Sequence, residues 1–124
     1  MTGKLRGGIV CESLKPGTVI EGYEMRITRW SRYEIAEPAE WQPNVWTLIE
    51  FEADEEESDA LAQRLSKDLD MPGWYANWYS GTEAVVVFPD KVFRYKRGDA
   101  RRRKVVQQYA RNCGVPEGQL DWDD

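Results

Sequence analysis

The clearest hydrophobic pattern in the chain runs through VWTLIEFEA, residues 45–53. Side chains of an extended chain point alternately to opposite sides, so V-T-I-F share one face and W-L-E-E share the other. The first set is apolar or β-branched throughout, whereas the second changes from apolar to charged. This pattern predicts a strand with one buried face and a second face that turns polar along its length.

Helical spacing appears first in residues 54–70. Leu61, Leu65 and Leu69 recur every four residues and form one apolar stripe. Asp54 stands at the start, followed by several acids that favour the positive end of the helix dipole, and is the predicted N-cap. The segment is therefore predicted to be a helix that packs along one face.

A second helix is predicted over residues 98–116. Asp99 is its expected N-cap, and Gly114 has the position of the glycine that commonly follows a helix. The predicted buried stripe consists of Val105, Val106, Tyr109, Ala110 and Cys113.

Further strands are predicted from short β-branched or aromatic runs bounded by turn residues. AVVVF, residues 84–88, is continuously apolar, which is typical of a central strand covered on both faces. Residues 34–44 contain two prolines without a repeat, and we expect a loop there. The remaining predicted strands cover residues 9–14, 19–30, 73–80, 92–95 and 117–122.

The order of elements over residues 45–122 predicts an α+β fold. It follows the βαββαβ order of the ferredoxin-like arrangement, an antiparallel sheet with two helices on one face. Residues 9–30 are expected to add an N-terminal β-hairpin. The whole chain, 1–124, is predicted to form a single domain, with the hairpin and loop in residues 1–44 and the core in 45–124.

The stretch PGWYANWYSG, residues 72–81, concentrates four aromatic rings. As a strand it places Trp74 and Trp78 on one face and Tyr75 and Tyr79 on the other. Such rings can form core, a protein interface or a platform for a ligand. Because the two pairs point apart, at most one pair is expected under the helices, and the other faces the open side of the sheet.

Composition removes several classes of chemistry. The 124 residues contain no histidine, which excludes Ser-His-Asp and Cys-His catalysis and histidine-ligated zinc. The net charge of −5 argues against nucleic acid, and no apolar run is long enough to span a bilayer. We expect a cytoplasmic protein with no cofactor and no metal, in which Cys11 and Cys113 are buried thiols, although a disulfide between them stays open.

Charged clusters offer weaker candidates. Basic residues crowd the start of the second helix, where an anion such as phosphate is one interpretation and a solvated face paired with the C-terminal acids is the other. The anion-binding candidates are Arg97, Gly98, Arg101, Arg102 and Arg103. Glu50, Glu52 and Glu83 lie on or near strands, but nothing fixes two of them at a working separation, and no catalytic residue is assigned.

A family resemblance is carried by GWYANWYSGTEAVVVFPDKVFRYKRGDA, with VPEGQLDW downstream. The second half of the chain resembles a family of small uncharacterised bacterial proteins without an assigned activity. The resemblance therefore implies a bacterial source but no reaction, and the ferredoxin-like arrangement hosts many unrelated activities.

Two functions remain as expectations. The first is a non-enzymatic module that self-associates, as a homodimer, or binds a protein partner through the open sheet face. The alternative is a small-molecule binder or enzyme with a pocket between the sheet and the 34–44 loop. The pocket candidates are Trp41, Trp46, Trp74, Tyr75, Trp78 and Tyr79, with Glu83 and Arg94 as polar anchors. An acidic inhibitor of a basic partner is neither supported nor excluded.

Overall fold

A computed structural model describes residues 3–124 and has an α+β architecture with six strands and two helices. The strands are β1 (Lys4–Val10), β2 (Met25–Glu34), β3 (Val45–Asp54), β4 (Ala76–Tyr79), β5 (Glu83–Phe88) and β6 (Lys91–Lys96). The helices are α1 (Ser58–Asp68) and α2 (Ala100–Asn112). All strand pairs are antiparallel, as predicted.

The sheet has the order β2-β3-β1-β4-β5-β6, and this order does not confirm the ferredoxin-like arrangement. β3 and β4 both run antiparallel to β1, so they are parallel to each other with β1 between them. The predicted order places residues 84–88 in that position. The N-terminal hairpin is also wrong, because β3 separates β1 from β2.

Glycine explains how β1 fits between its neighbours. Gly7 lies opposite Trp78 of β4, and a Cβ added to Gly7 would come within 2.5 Å of the Trp78 Cβ. A larger residue would separate the strands or displace the indole. The same glycines weaken the strand signal in the sequence, so residues 4–8 were not predicted as a strand.

The two helices cover opposite faces of the sheet, which corrects the prediction of one shared face. Val85 and Val87 of β5 belong to one core with α1, and Val86 and Phe88 belong to a second core with α2. We call these the α1 face and the α2 face. Residues 84–88 are buried on both sides, as predicted, although β5 is the fifth strand rather than a middle one.

The C-terminal segment, residues 113–124, completes the α2 face. It forms a 3-10 turn at Glu117–Gln119 and then irregular chain, so the predicted strand over 117–122 is wrong. Leu120 and Trp122 are both buried in the second core. The Trp122 indole donates to the Tyr95 hydroxyl at 2.9 Å, which fixes the segment against β6.

The predicted N-cap is confirmed for one helix and wrong for the other. The Asp99 carboxylate accepts the Arg102 amide at 3.1 Å and caps α2, as predicted. Asp54 makes no cap, because a 3-10 turn at Glu55–Glu57 delays α1 until Ser58. The Asp54 carboxylate pairs with Lys4 instead. Neither helix, nor any other in residues 3–124, is long and apolar enough to cross a membrane.

The predicted helix stripes differ in accuracy. Leu61, Leu65 and Leu69 are all buried, as the four-residue repeat predicts. On α2, Val106 and Ala110 are buried, whereas Val105 is 50% exposed and was wrongly placed in the stripe.

Candidate functional site

An open groove of about 790 Å³ runs over the part of the α2 face that α2 leaves uncovered. Strands β1, β3 and β4 form its floor, β2 forms one wall, and the C-terminal segment forms the other. The side chains that the following paragraphs use are Arg6, Gly8, Arg26, Tyr33, Trp46, Leu48, Glu50, Glu52, Trp74, Tyr75, Asn77, Tyr79, Asp121 and Asp123.

The floor is deep because β1 contributes little side-chain volume. Gly8 lies between Glu50 of β3 and Asn77 of β4 in the sheet. A Cβ at Gly8 would meet the Leu48 Cδ1 at 3.2 Å, a tight contact. The Leu48 side chain therefore leans over Gly8, and a larger residue at this position would displace it from the floor.

One end of the groove is aromatic. Tyr33 of β2 and Trp46 of β3 are paired residues with ring centroids 6.5 Å apart. Trp46 then contacts Trp74 at 5.1 Å, and Trp74 contacts Trp41 at 5.4 Å. Gly73 permits this row, because its φ is +68° and a Cβ there would lie 2.4 Å from the Trp41 ring.

The 35–44 loop is joined to the C-terminal wall at this same end. The Gln42 and Gln119 side-chain amides donate to each other at 2.9 and 2.8 Å. Gln42 is buried, and its side-chain oxygen also accepts the Ala39 amide at 2.9 Å. The loop is therefore fastened to the C-terminal wall, but none of residues 34–44 lines the groove, so the groove is not the predicted pocket between the sheet and this loop.

The other end of the groove is ionic. Glu52 pairs with Arg6 at 3.1 Å and with Arg26 at 3.1 Å, which links β1, β3 and β2 across the floor. The hydrogen bond from Arg26 holds the pKa of Glu52 below its usual value. Glu50 has a longer and more exposed contact, 3.7 Å, with Arg29.

Two phenols line the groove, Tyr75 beside the C-terminal wall and Tyr33 on the β2 wall. Tyr75 donates to the Gln119 carbonyl at 2.5 Å, and burial raises its pKa, with Asp121 as a further cause. Burial also raises the pKa of Tyr33, followed by the charges of Glu50 and Asp121. Both phenols therefore stay neutral at physiological pH, and carboxylates lie near both rings.

The structure brings together only part of the predicted pocket set. Trp46, Trp74, Tyr75 and Tyr79 line the open groove, and Trp41 packs behind Trp74. Trp78 is on the α1 face and only 1% exposed, whereas Trp74, which precedes β4, borders the groove with the two tyrosines, so the predicted division into a Trp pair and a Tyr pair holds only in part. Its indole donates to the Ser58 hydroxyl at 2.8 Å.

The two predicted polar anchors lie outside the groove. Arg94 is on the α1 face and pairs with Asp59 at 2.7 Å. Glu83 opens β5 and borders a smaller cavity near Ser58. Neighbouring residues of a strand point to opposite faces of the sheet. Arg94 therefore lies on the α1 face with Trp78, whereas Tyr79 and Tyr95 lie on the α2 face, where the groove is.

The predicted anion-binding residues divide between partners in the chain and solvent. Arg97 stacks on the Tyr79 ring at 4.4 Å and donates to the Ser80 carbonyl at 2.8 Å. Arg103 pairs with Asp124 at 2.7 Å. Gly98, Arg101 and Arg102 are exposed around the helix start that Asp99 caps. Anion binding at this place stays a prediction.

Several groove residues were missed by the sequence reasoning. Arg6, Gly8, Tyr33 and Asp121 come from four separate parts of the chain, and only the strand order brings them together. The switch from apolar to charged residues in 45–53 was the one local signal, because it marks the open part of the α2 face.

Within residues 3–124, no three His, Cys, Asp or Glu side chains are grouped to hold a metal ion. Comparison with known proteins finds no matching family model, no matching curated protein and no matching solved structure. Function is therefore argued from the groove itself.

Proposed function

We propose that this protein is a binding module that takes a small organic ligand into the open groove. The observation that carries the proposal is the combination of a concave volume of about 790 Å³ with an aromatic end and an ionic end. Sites for small molecules commonly enclose about 300–1,000 Å³ and combine apolar surface with a few placed polar groups. The exposed ring of Tyr33 offers stacking area, and the Arg6–Glu52–Arg26 network offers fixed polar contacts.

Binding is favoured over catalysis by the state of the groove carboxylates. A general acid or base works best with a pKa near the operating pH. Arg26 instead lowers the pKa of Glu52, which moves it further from physiological pH, and the carboxylate is already paired twice. The groove therefore lacks, at this position, the activated carboxylate that catalysis without histidine would need.

A groove-filling variant tests the proposal. A metabolite library is screened by thermal shift, since a ligand of the native state raises the apparent stability. Ligands that bind in the groove should shift the amide NMR signals of Gly8 and Asn77. Leu48→Phe places a ring over the floor and should weaken these ligands at least about tenfold, the effect of losing about 1.4 kcal/mol.

Val105→Phe is the matched control, because Val105 is an exposed apolar residue on α2 away from the groove. It should leave every affinity unchanged. The proposal fails if no ligand shifts the groove amides, or if Leu48→Phe and Val105→Phe have equal effects.

A second candidate is self-association, and one observation on β2 favours it. β2 is a ten-residue edge strand that pairs only with β3. It carries Trp30, 70% exposed, and Ile27, 48% exposed. A long edge strand with exposed apolar side chains can serve as a template for another strand, although the three arginines of β2 oppose such pairing. We therefore place the proposed homodimer at this edge, with β2 of a second copy as the partner.

Sedimentation over a dilution series measures this association. Trp30→Ala should shift the dimer–monomer midpoint at least about tenfold higher in concentration, as expected for a buried interface Trp. Met71→Ala is the control, since Met71 is 71% exposed but lies outside the strand. A monomer at all concentrations would remove the second candidate.

A cytoplasmic location is part of the same proposal. Cys11 and Cys113 are both free thiols, a state that a reducing compartment maintains.

A further inference from the structure

The charges that line the open groove do not balance. Two guanidinium groups, from Arg6 and Arg26, face four carboxylates, from Glu50, Glu52, Asp121 and Asp123. Glu52 neutralises part of both arginines through its two ion pairs, and Glu50 is paired with Arg29 at 3.7 Å, so the charge left over is that of Asp121 and Asp123. The positive charges are thus engaged inside the protein, and the surplus in the groove is negative.

The surplus is concentrated on the C-terminal wall. Among residues 3–124, the Asp121 and Asp123 carboxylates have no hydrogen bond or ion pair with another side chain, whereas the nearby Asp124 pairs with Arg103 and accepts from Tyr95. Asp121 and Asp123 line the groove on the side where Tyr75 lies. Two free carboxylates therefore border the groove beside its aromatic rings.

The aromatic rings beside these acids also favour a positively charged ligand. Tyr33 lies 40% exposed on the opposite wall, and its electrostatic neighbours include Glu50 and Asp121. The face of an aromatic ring attracts cations, with about 0.5–2 kcal/mol gained per favourable contact. Carboxylates that surround neutral rings provide a site for an ammonium group, and they repel an anion of the same shape.

From this arrangement we infer that the open groove selects organic cations, namely amines that carry an apolar or aromatic body. The body lies at the aromatic end, where Tyr33 is 40% exposed beside the buried Trp46 and Trp74, and the ammonium group lies towards the C-terminal wall. This inference rests on the proposed ligand-binding function and assigns the chemical class of its ligand.

Three probes of nearly equal shape test the charge preference: phenethylamine, 2-phenylethanol and phenylacetate. Each is titrated into the full chain while the amide signals of Gly8 and Asn77 are followed by NMR. Phenethylamine should bind about tenfold more tightly than 2-phenylethanol, the combined effect of a cation–π contact and an exposed ion pair. Phenylacetate should bind more weakly than the alcohol, and added salt should reduce the difference between the probes.

Paired variants locate the charge. Asp121→Asn with Asp123→Asn should weaken phenethylamine about fivefold, within the range of two exposed ion pairs, and leave 2-phenylethanol unchanged. Glu83→Gln with Glu21→Gln removes the same total charge from exposed positions outside the groove and should change neither affinity.

The cation preference is overturned if phenethylamine does not shift the groove amides, if phenylacetate binds as tightly, or if both double variants act alike. A neutral library ligand that still shifts the Gly8 amide would then retain the proposed site without this ligand class. A groove that no ligand perturbs would remove both.

Discussion

The α2 face of the sheet has a closed half and an open half, and their sequences differ in kind. In the closed half, Val86 and Phe88 of β5 lie under α2 in a ring cluster with Phe93 and Tyr109. In the open half, the same face of β3 carries Leu48, Glu50 and Glu52. Burying these carboxylates without new partners would cost more free energy than their aliphatic parts would gain.

The comparison shows how one chain both completes a core and keeps a surface open. Within residues 3–124, the α2 face is covered by α2 and the C-terminal segment, and Leu120 and Trp122 extend the cover as far as Tyr75. Beyond Tyr75 the strand residues become charged or lack a side chain, as at Gly8. The open groove thus begins where the cover from α2 and the C-terminal segment ends.

The largest effect on stability is expected from truncating a core residue of the closed half, in comparison with the same kind of change in the open half. Phe88→Ala removes a fully buried ring and should lower the free energy of unfolding by about 3–5 kcal/mol. Leu48→Ala, on the half-buried groove floor, should cost only about 1 kcal/mol. Urea unfolding of both variants measures the difference. Equal losses would mean that the open half is covered in solution.

A smaller effect is expected where loop and tail meet at the aromatic end. Gln42→Ala leaves the Gln119 amide and the Ala39 amide without their partner, and should cost roughly 1–2 kcal/mol. It should also increase hydrogen exchange in residues 117–120. Gln63→Ala is the control, because Gln63 is exposed on α1. If it lowers the stability as much as Gln42→Ala does, the hydrogen bonds between Gln42 and Gln119 add nothing to stability.

The N-cap of α2 should contribute to stability, because α2 covers the closed half of the α2 face. Asp99→Ala removes the acceptor of the Arg102 amide and should cost about 1 kcal/mol. Asp54→Ala removes only a partly exposed ion pair with Lys4, which solvent screens, and should cost less than Asp99→Ala. Thermal unfolding of the two variants should rank them in that order. The reverse ranking would mean that Asp54 caps α1 after all.

Alkaline pH gives the smallest effect, since it is absent at neutrality. Burial, followed by the hydrogen bond with Asp124, raises the pKa of Tyr95 from 10.0 to about 12. The neutral phenol thus stabilises the fold fully below pH 10, and this contribution is lost as the pH rises from 10 towards 12. Tyr95→Phe should flatten the fall in unfolding free energy over that window.

Tyr33 provides the matching test on the open half. It is 40% exposed, so Tyr33→Phe should change the alkaline unfolding curve less than Tyr95→Phe. A larger change with Tyr33→Phe would place the more strongly perturbed phenol on the groove wall.

Local patterns predicted what depends on residues close in sequence. The repeat of Leu61, Leu65 and Leu69 gave the buried side of α1, and the run at 84–88 gave a strand buried on both faces. Alternation in 45–53 gave the two faces of β3 correctly. In each case the signal is a periodic exposure of side chains, which follows from backbone geometry alone.

Patterns failed where packing between distant segments decides. Residues 4–8 look weak as a strand, yet Gly7 is what allows β1 to lie against Trp78. Leu120 and Trp122 show the spacing of a strand, but they pack as irregular chain because Tyr95 and Arg103 hold the Trp122 indole and carbonyl. Neither contact is visible from the local sequence.

By itself, the sequence determined an α+β chain with an antiparallel sheet, most of the buried side of each helix, the cap of α2 and the absence of histidine chemistry. Only the tertiary structure decided that the helices lie on opposite faces and that β1 occupies the middle of the sheet. The open groove depends on both decisions, because helix placement leaves half of one face uncovered and β1 supplies Gly8 and Arg6 to the floor of that half. Such placements follow from which surfaces fit together, a property of pairs of segments rather than of any one segment.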